Sequence, residues 1–302
     1  PSATEAAFPD AVDQLRGLAD GSGQSFDDVL LMNFVTEMID PCPPDGTSVI
    51  PEHCTDASCA GLMGHNEDGY IANGRFSYLA EVAIAGRKTV WGFCYPGQLI
   101  GNAFAMTSAG LVLTINYIFI TDLYNGTDGV PINFVTNAAV QAESVADAER
   151  ILTSYKLIAG VSVNLGQMHA DAPADCDFEQ RNLELSRAQE EVGRELLGES
   201  ATRTLAHFNM FHHSCLDRQF QCTSSLRRRA AAAALGPTRT RENILALLSN
   251  RDDNEFPIYR DGQPSGVDTI TTVLFDLRAE TATVFTGKAT DGATFEAPRP
   301  KE

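Results

Sequence analysis

Apolar positions recur at helical spacing in two stretches near the start of the chain. Phe8, Val12, Leu15 and Leu18 form one stripe that ends at the Gly21-Ser22-Gly23 break, and Val29, Leu30, Phe34 and Met38 form a second. Ser25 with Asp28 three residues on has the form of a capping box, with an acid in place of the usual Glu or Gln, and predicts where the second helix begins. Between Pro41 and Pro51 the periodicity stops. Pro43-Pro44-Asp45-Gly46 is turn chemistry, so this stretch reads as a loop.

After residue 54 the period shortens. Residues 78–85, 88–95, 103–108 and 111–116 read as strands of a meander, joined by short Gly, Asn or Ser turns. Pro131 opens a helix to about Gln141, and Ser144 caps another that carries Ala148, Ile151 and Leu152. A strand over 161–169 follows, then an acidic loop over 170–179 and a charged helix over 187–197. The chain closes with a strand over 204–211, helices over 224–235 and 241–248 split by Gly236-Pro237, and a hairpin of 270–277 with 281–287 that makes a two-residue turn at or near Arg278-Ala279. Antiparallel hairpins without regular β-α alternation predict an α+β fold in which helices cover sheets.

Composition narrows the class. The chain has 302 residues, 43% of them hydrophobic and 21% charged, which suffices for a sizeable core in one large domain or two. Acidic residues outnumber basic ones by 40 to 22, a net charge of −18, which disfavours nucleic acid because phosphate binding draws on clustered Lys and Arg. The same field favours cationic or amine-bearing ligands. The one dense basic run, Arg227-Arg228-Arg229, leads into alanines and reads as the solvated face of a helix. The longest apolar run, 110–120, includes Thr114 and Asn116 and is too short to span a bilayer, so no transmembrane segment is expected and the run reads as a buried strand. Pro1 in place of Met predicts a processed or partial product.

Seven cysteines make an odd count: with Cys54 set apart as a nucleophile the other six could pair, or all could stay thiols. Asn125-Gly126-Thr127 is a glycosylation sequon that matters only in a secreted chain. His207, His212, His213 and Cys215 match no zinc spacing, and no phosphate-binding glycine loop or dinucleotide fingerprint occurs, so no metal and no cofactor are expected.

The candidate chemistry centres on Cys54, in His53-Cys54-Thr55-Asp56 followed by Gly64-His65-Asn66-Glu67-Asp68. A cysteine attacks as thiolate and needs a base nearby. Cutting the bond before Cys54 would supply one, since a freed α-amine has a pKa of roughly 7.7–8.0 and can take the thiol proton.

Five separated stretches resemble one family. They are Leu15 to Gly23 with Asp28 to Asn33; Cys54-Thr55 with Gly64 to Asp68; Tyr95-Pro96-Gly97 with Gly110 to Asn116; Ala206-His207-Phe208-Asn209; and Asp268-Thr269 through Leu277. Together they resemble the acyl-coenzyme A:isopenicillin N acyltransferase family of N-terminal nucleophile hydrolases, which includes an insect β-alanyl-dopamine hydrolase. The resemblance implies a four-layer αββα sandwich of two antiparallel sheets, made as a precursor that cuts itself between His53 and Cys54. Residues 1–53 would be a propeptide-like segment of two helices and a loop, and 54–302 the catalytic segment. The two would stay associated as one domain.

By the same resemblance Cys54 attacks the amide of a small N-acyl amine and forms a thioester. Asp68 orients the new α-amine, Asn209 faces the oxyanion, Asn116 adds a further oxyanion or pocket group, and Asn66 supports the loop. A Cys54 dyad with His53 or His65 ranks lower because it leaves Asp68 and Asn209 without a role. The alternative is a catalytically inactive member serving as a binding or structural subunit of a larger assembly. It draws on His53, where the family usually has glycine, and on the lack of an arginine near Asp268-Thr269.

Overall fold

The computed structural model describes residues 2–38, 54–59, 61–120, 129–170, 178–186, 192–196, 204–212, 223–236, 240–292 and 295–302. The chain begins with four helical segments, α1 (Ser2–Ala7), α2 (Pro9–Ser22), α3 (Phe26–Met32) and α4 (Val35–Met38). Pro9 presets the first turn of α2, and Gly23 ends it in the left-handed conformation at φ 70°. Ser25 Oγ accepts the amide of Asp28, so the predicted cap forms. The buried stripe of α2 is Ala11, Val12, Leu15 and Ala19. Leu18, expected in that stripe, is 37% exposed, because the face continues one position later through the small Ala19.

Then come β1 (Thr55–Cys59), β2 (Leu62–Tyr70), α5 (Ile71–Gly74), β3 (Tyr78–Val82), β4 (Val90–Cys94), β5 (Phe104–Thr107) and β6 (Leu111–Ile118). They are followed by α6 (Ile132–Ala139), α7 (Val145–Leu152), β7 (Gly160–Gln167), β8 (Gln180–Leu185), β9 (Val192–Leu196) and β10 (Thr204–His207). The last elements are α8 (Thr223–Leu235), α9 (Arg241–Leu248), β11 (Val267–Asp276), β12 (Thr281–Phe285) and β13 (Phe295–Pro298). Two sheets result: six strands in the order β10-β1-β2-β11-β12-β13, and a seven-stranded meander from β3 to β9. Every pairing in both is antiparallel.

Strand alternation sorts the core into layers. Met63, Phe104, Met106, Val112, Val273 and Phe275 fill the space between the sheets. Leu113 and Val163 face outward from the seven-stranded sheet onto Leu15, Phe134 and Val145 of α2, α6 and α7. Leu274, one residue from Phe275, faces the other way, where Ala57 and Phe208 also meet Ala232, Ile244 and Leu248 of α8 and α9. The fold is therefore a helix-sheet-sheet-helix sandwich, the α+β class predicted from the sequence.

Two local readings are corrected. The charged helix expected over 187–197 is a strand where it is described, with Val192–Leu196 paired to β8 as an edge strand. Pairing with a neighbouring strand overrides the helix propensity of its charged residues. The closing hairpin turns over four residues rather than two, since Asp276 pairs with Thr281. Asp276 Oδ1 accepts the amides of Arg278 and Ala279, and Glu280 takes a positive φ of 54°.

The leading helices are anchored by polar groups as well as by packing. Buried Asn33 donates to the carbonyls of Val29 and Gly97 and accepts the amide of Leu99, tying α3 to the loop after β4. Glu37 Oε1 accepts the amide of Ile132 at 2.8 Å, at the start of α6. Burial drives the Glu37 carboxyl from 4.5 up to about 7. Between those values the folded chain binds more protons than the unfolded one, so this contribution is intact below 4.5 and is lost as pH rises through about 7. Glu37→Gln keeps the acceptor and discards the buried charge. It should raise stability by about 1–3 kcal/mol near pH ~8 and leave it unchanged near pH ~4, as read by denaturant unfolding at each pH.

Candidate active site

Cys54 stands immediately before β1, and the two strands that follow it carry polar side chains where a sheet core is ordinarily apolar. Asp56, Ser58, His65, Asn66, Glu67 and Asp68 are all at most 3% exposed. Charges buried this deeply require partners, and each strand face supplies its own set.

On the face turned toward the second sheet, the groups form a chain that begins at the sulfur. Cys54 Sγ donates to Glu67 Oε2 at 3.7 Å, and that oxygen lies 2.9 Å from His65 Nε2. His65 Nδ1 is 2.8 Å from Asp56 Oδ1, which also accepts Thr114 Oγ1 at 2.7 Å from β6. Asn164 and Asn182 extend the chain, donating to Thr114 Oγ1 and to Asn164 Oδ1. Burial pulls the His65 pKa down, but Asp56 and Glu67, one on each ring nitrogen, outweigh it and hold the value at about 10. His65 is therefore an imidazolium that donates from both nitrogens. Tyr95 Oη donates to Glu67 Oε1 at 2.5 Å. That approach needs Gly69, where a Cβ would stand 2.9 Å from the tyrosine oxygen.

On the opposite face of β2, Asn66 donates to the carbonyl of Leu248 and accepts from Thr272 Oγ1, locking β2 to α9 and β11. Asp68 accepts Thr269 Oγ1 at 2.6 Å and faces Arg260 Nε at 3.7 Å. Burial raises the Asp68 pKa to about 7, against the opposing pull of Arg260, Thr269 and Arg228. Arg260 escapes the sequence reading because it lies eight positions before Asp268. The chain folds back so that its amide donates to Thr269 Oγ1 at 2.9 Å. An arginine does stand beside Asp68 and Thr269, which removes one support of the inactive-member alternative.

The basic run on α8 holds the largest correction. Arg227 is partly exposed and pairs with Asp253 and Glu255, as a solvated face would. Arg228 is 0% exposed. Its Nη1 donates to the Cys54 carbonyl and Thr55 Oγ1, both at 3.0 Å, and its Nη2 donates to Asn209 Oδ1 at 2.9 Å. Its Nε donates to Ser224 Oγ, which also accepts from Arg260, and the guanidinium lies 5.2 Å over the Phe208 ring. Only tertiary acceptors make this burial tolerable, and adjacent arginines in a sequence carry no sign of them.

Asn209, two residues past β10, is thereby oriented: an arginine can only donate, so Oδ1 faces Arg228 and Nδ2 turns to the carbonyl of Tyr117 at 2.9 Å. Asn116 lies on the face of β6 opposite Ile115 and Tyr117; its Nδ2 donates to the His207 carbonyl at 3.4 Å, and its buried Oδ1 meets no donor among the described residues. The structure thus gathers Cys54, Asn209 and Asp68 around Arg228 and Arg260, with Asn116 bonded instead to the backbone of His207. His53 lies outside the described residues, as do Asn125, His213, Cys42, Cys176, Cys215 and Cys222. Cys59 and Cys94 are buried thiols, pushed up to about 11 and about 12 by burial.

A small cavity of about 20 Å³, room for about one water and partly open to solvent, is lined by Cys54, Glu67 and Tyr95 on its polar side and by Ile115, Tyr117, Ile132 and Val161 on the other. Cys54, His65 and Glu67 place one ligand atom each within 4.8 Å of one another. A cation there would have to displace the proton that His65 Nε2 shares with Glu67, so the set fits an ion pair better than a metal. His207 is engaged with Glu184 at 2.9 Å and stacks on His212.

Residues 54–291 match the family model for acyl-coenzyme A:6-aminopenicillanic acid acyl-transferase. The chain belongs to that family. Membership makes it an enzyme of the N-terminal nucleophile class, whose members hydrolyse or transfer acyl groups on small amines. It is similar to the β-alanyl-dopamine/carcinine hydrolase of Drosophila melanogaster, with 23% identity over 304 residues covering 92% of this chain and 76% of the relative. Among solved structures it resembles penicillin V acylase from Agrobacterium tumefaciens, with 12% identity, TM-score 0.39, and 78% and 82% of the two chains covered. A variant of conjugated bile acid hydrolase from Clostridium perfringens aligns with 10% identity, TM-score 0.46, and 78% and 89% coverage. Among the described residues no helix is long and apolar enough to cross a membrane.

Proposed function

We propose that the chain is a self-cleaving cysteine amidohydrolase or acyltransferase that acts on a small N-acyl amine through a thioester on Cys54. The observation that carries this reading is the placement of Cys54: the residue lines the cavity, and its carbonyl is gripped by the buried Arg228. The family match also begins at this residue. Cleavage between His53 and Cys54 would free the α-amine, leaving residues 1–53 and 54–302 associated through the anchors at Asn33 and Glu37.

In the cleaved enzyme the α-amine takes the thiol proton and the thiolate attacks the substrate carbonyl. The amine then returns the proton to the leaving nitrogen, and water or a second amine resolves the thioester. Asp68, held by Thr269 and Arg260, would orient and polarise the α-amine, a role that suits a carboxyl poised at about 7. Asn209 would offer its second amide hydrogen to the oxyanion, while Arg228 keeps that amide from turning. The acidic composition and the Glu67 carboxylate in the cavity favour substrates that carry an amine, in keeping with the β-alanyl compounds named for the Drosophila relative.

A panel of N-acyl amines scored for amine release tests the reading. Asn209→Ala should lower kcat by the equivalent of about 2.7–4 kcal/mol with KM little changed, because the oxyanion develops only in the transition state. Equal turnover by Asn209→Ala and wild type would remove this residue from the mechanism.

A further inference from the structure

We propose that Glu67, steadied by His65 and Tyr95, is the base that deprotonates Cys54 during the first, self-cleaving step. The inference rests on the self-cleavage reading above and addresses a gap in it. The α-amine becomes a base only once the bond before Cys54 is broken. Until then the nitrogen belongs to an amide, whose lone pair is delocalised into the carbonyl and does not accept a proton near neutrality. The thiolate is nevertheless required to break that bond. Maturation and turnover therefore need different proton acceptors for the same sulfur.

The structure supplies the earlier one. Glu67 Oε2 is 3.7 Å from Cys54 Sγ, within reach of a thiol hydrogen bond, and the thiol donates to it. Both carboxylate oxygens of Glu67 are otherwise held by donors: His65 Nε2 on Oε2 and Tyr95 Oη on Oε1. Asp56, on the far ring nitrogen of His65, fixes the imidazole that fixes Glu67. Three of these groups sit on consecutive paired strands, since Asp56 of β1 lies opposite His65 of β2. The arrangement is rigid and enclosed, as a base that must act once in every molecule requires. Glu67 touches the reacting sulfur and so would be catalytic for the cut. His65, Asp56 and Tyr95 would be positioning residues.

The step balances without a co-reactant other than water. Glu67 takes the proton from Sγ, and the thiolate forms a bond to the carbonyl carbon of residue 53. The bond from that carbon to the nitrogen of Cys54 then breaks, and the departing nitrogen receives the proton back from Glu67, giving an amine and a thioester. Water attacks the thioester: its hydroxyl goes to the carbonyl of residue 53, a proton goes to sulfur, and the carbon-sulfur bond breaks. The products are a carboxyl group at residue 53, which loses its proton to water, and an α-amine at Cys54 next to a thiol, the state in which the amine takes over.

The test is a time course of cleavage in the full-length chain, followed by intact mass after synthesis of wild type, Glu67→Gln and Glu67→Asp. Glu67→Gln keeps the size of the side chain and removes its basicity, and cleavage should slow by roughly 10²–10⁴-fold. Glu67→Asp keeps the charge that compensates His65 but withdraws the carboxylate by one methylene, so it should fold and cleave at an intermediate rate. Equal thermal midpoints for the uncleaved variants and uncleaved Cys54→Ala would show that folding is intact. Wild-type cleavage rates in a folded Glu67→Gln or Glu67→Asp chain would overturn the proposal while leaving self-cleavage standing. A wild-type chain that never cleaves would instead remove the reading on which it rests.

Discussion

Cys54→Ala is expected to leave no measurable turnover of any N-acyl amine and to remain a single uncut chain. Both losses follow from one atom, because the sulfur would serve first against the peptide bond before it and afterwards against substrate. Loss of the nucleophile in a covalent hydrolase typically lowers kcat by on the order of 10⁶. The fold should survive: Cys54 precedes β1, and its contribution to the Arg228 network is a backbone carbonyl that alanine retains. Thermal unfolding close to that of the wild type, with turnover and cleavage both absent, is the expected pair of results. Residual turnover in the uncut variant would assign the chemistry to another residue.

Arg228→Leu is expected to be the most destabilising single change around the site. It strips donors from the Cys54 carbonyl, Thr55 Oγ1 and Asn209 Oδ1, all of which stay buried. It also removes a positive charge that acts on Asp68. Breaking a buried charged network by deleting one member costs about 3–5 kcal/mol, and in a chain of this size each kcal/mol lowers Tm by roughly 2–4 °C. The control is its neighbour. Arg227 makes exposed ion pairs with Asp253 and Glu255, so Arg227→Leu should fall within about 0.5 kcal/mol of wild type. Denaturant unfolding of the two variants side by side separates the buried arginine from the solvated one. Similar losses for both would contradict the network described here.

That contrast also shows where the sequence was legible. Helical periodicity located α2, α3, α6, α7 and α9 closely, and at two of them a Ser before the apolar stripe added a local signal: Ser25 and Ser144 each accept the amide expected of a cap, while the Thr240 cap of α9 emerged only from the structure. The meander from β3 to β6 was legible for a similar reason, through alternation between turn residues. β2 was not. Its sequence Leu62–Tyr70 places Asn66, Glu67 and Asp68 in a row, which reads as a surface turn until the partners on both faces are known. Burial of His65 and Glu67 depends on Asp56 and Tyr95, and burial of Arg228 depends on a carbonyl 174 positions away. Such pairings arise from the sandwich and leave no trace in local spacing. Cys54, Asp68 and Asn209 were named through resemblance to the family rather than through periodicity. Glu67, Arg228 and Arg260 emerged only from the geometry.

Intact mass and N-terminal sequencing of the purified, unmutated protein decide whether the chain cuts itself before Cys54. Two associated polypeptides are expected, the larger beginning at Cys54 with an unblocked α-amine. A single polypeptide that hydrolyses N-acyl amines with Cys54 still in an internal peptide bond would contradict it.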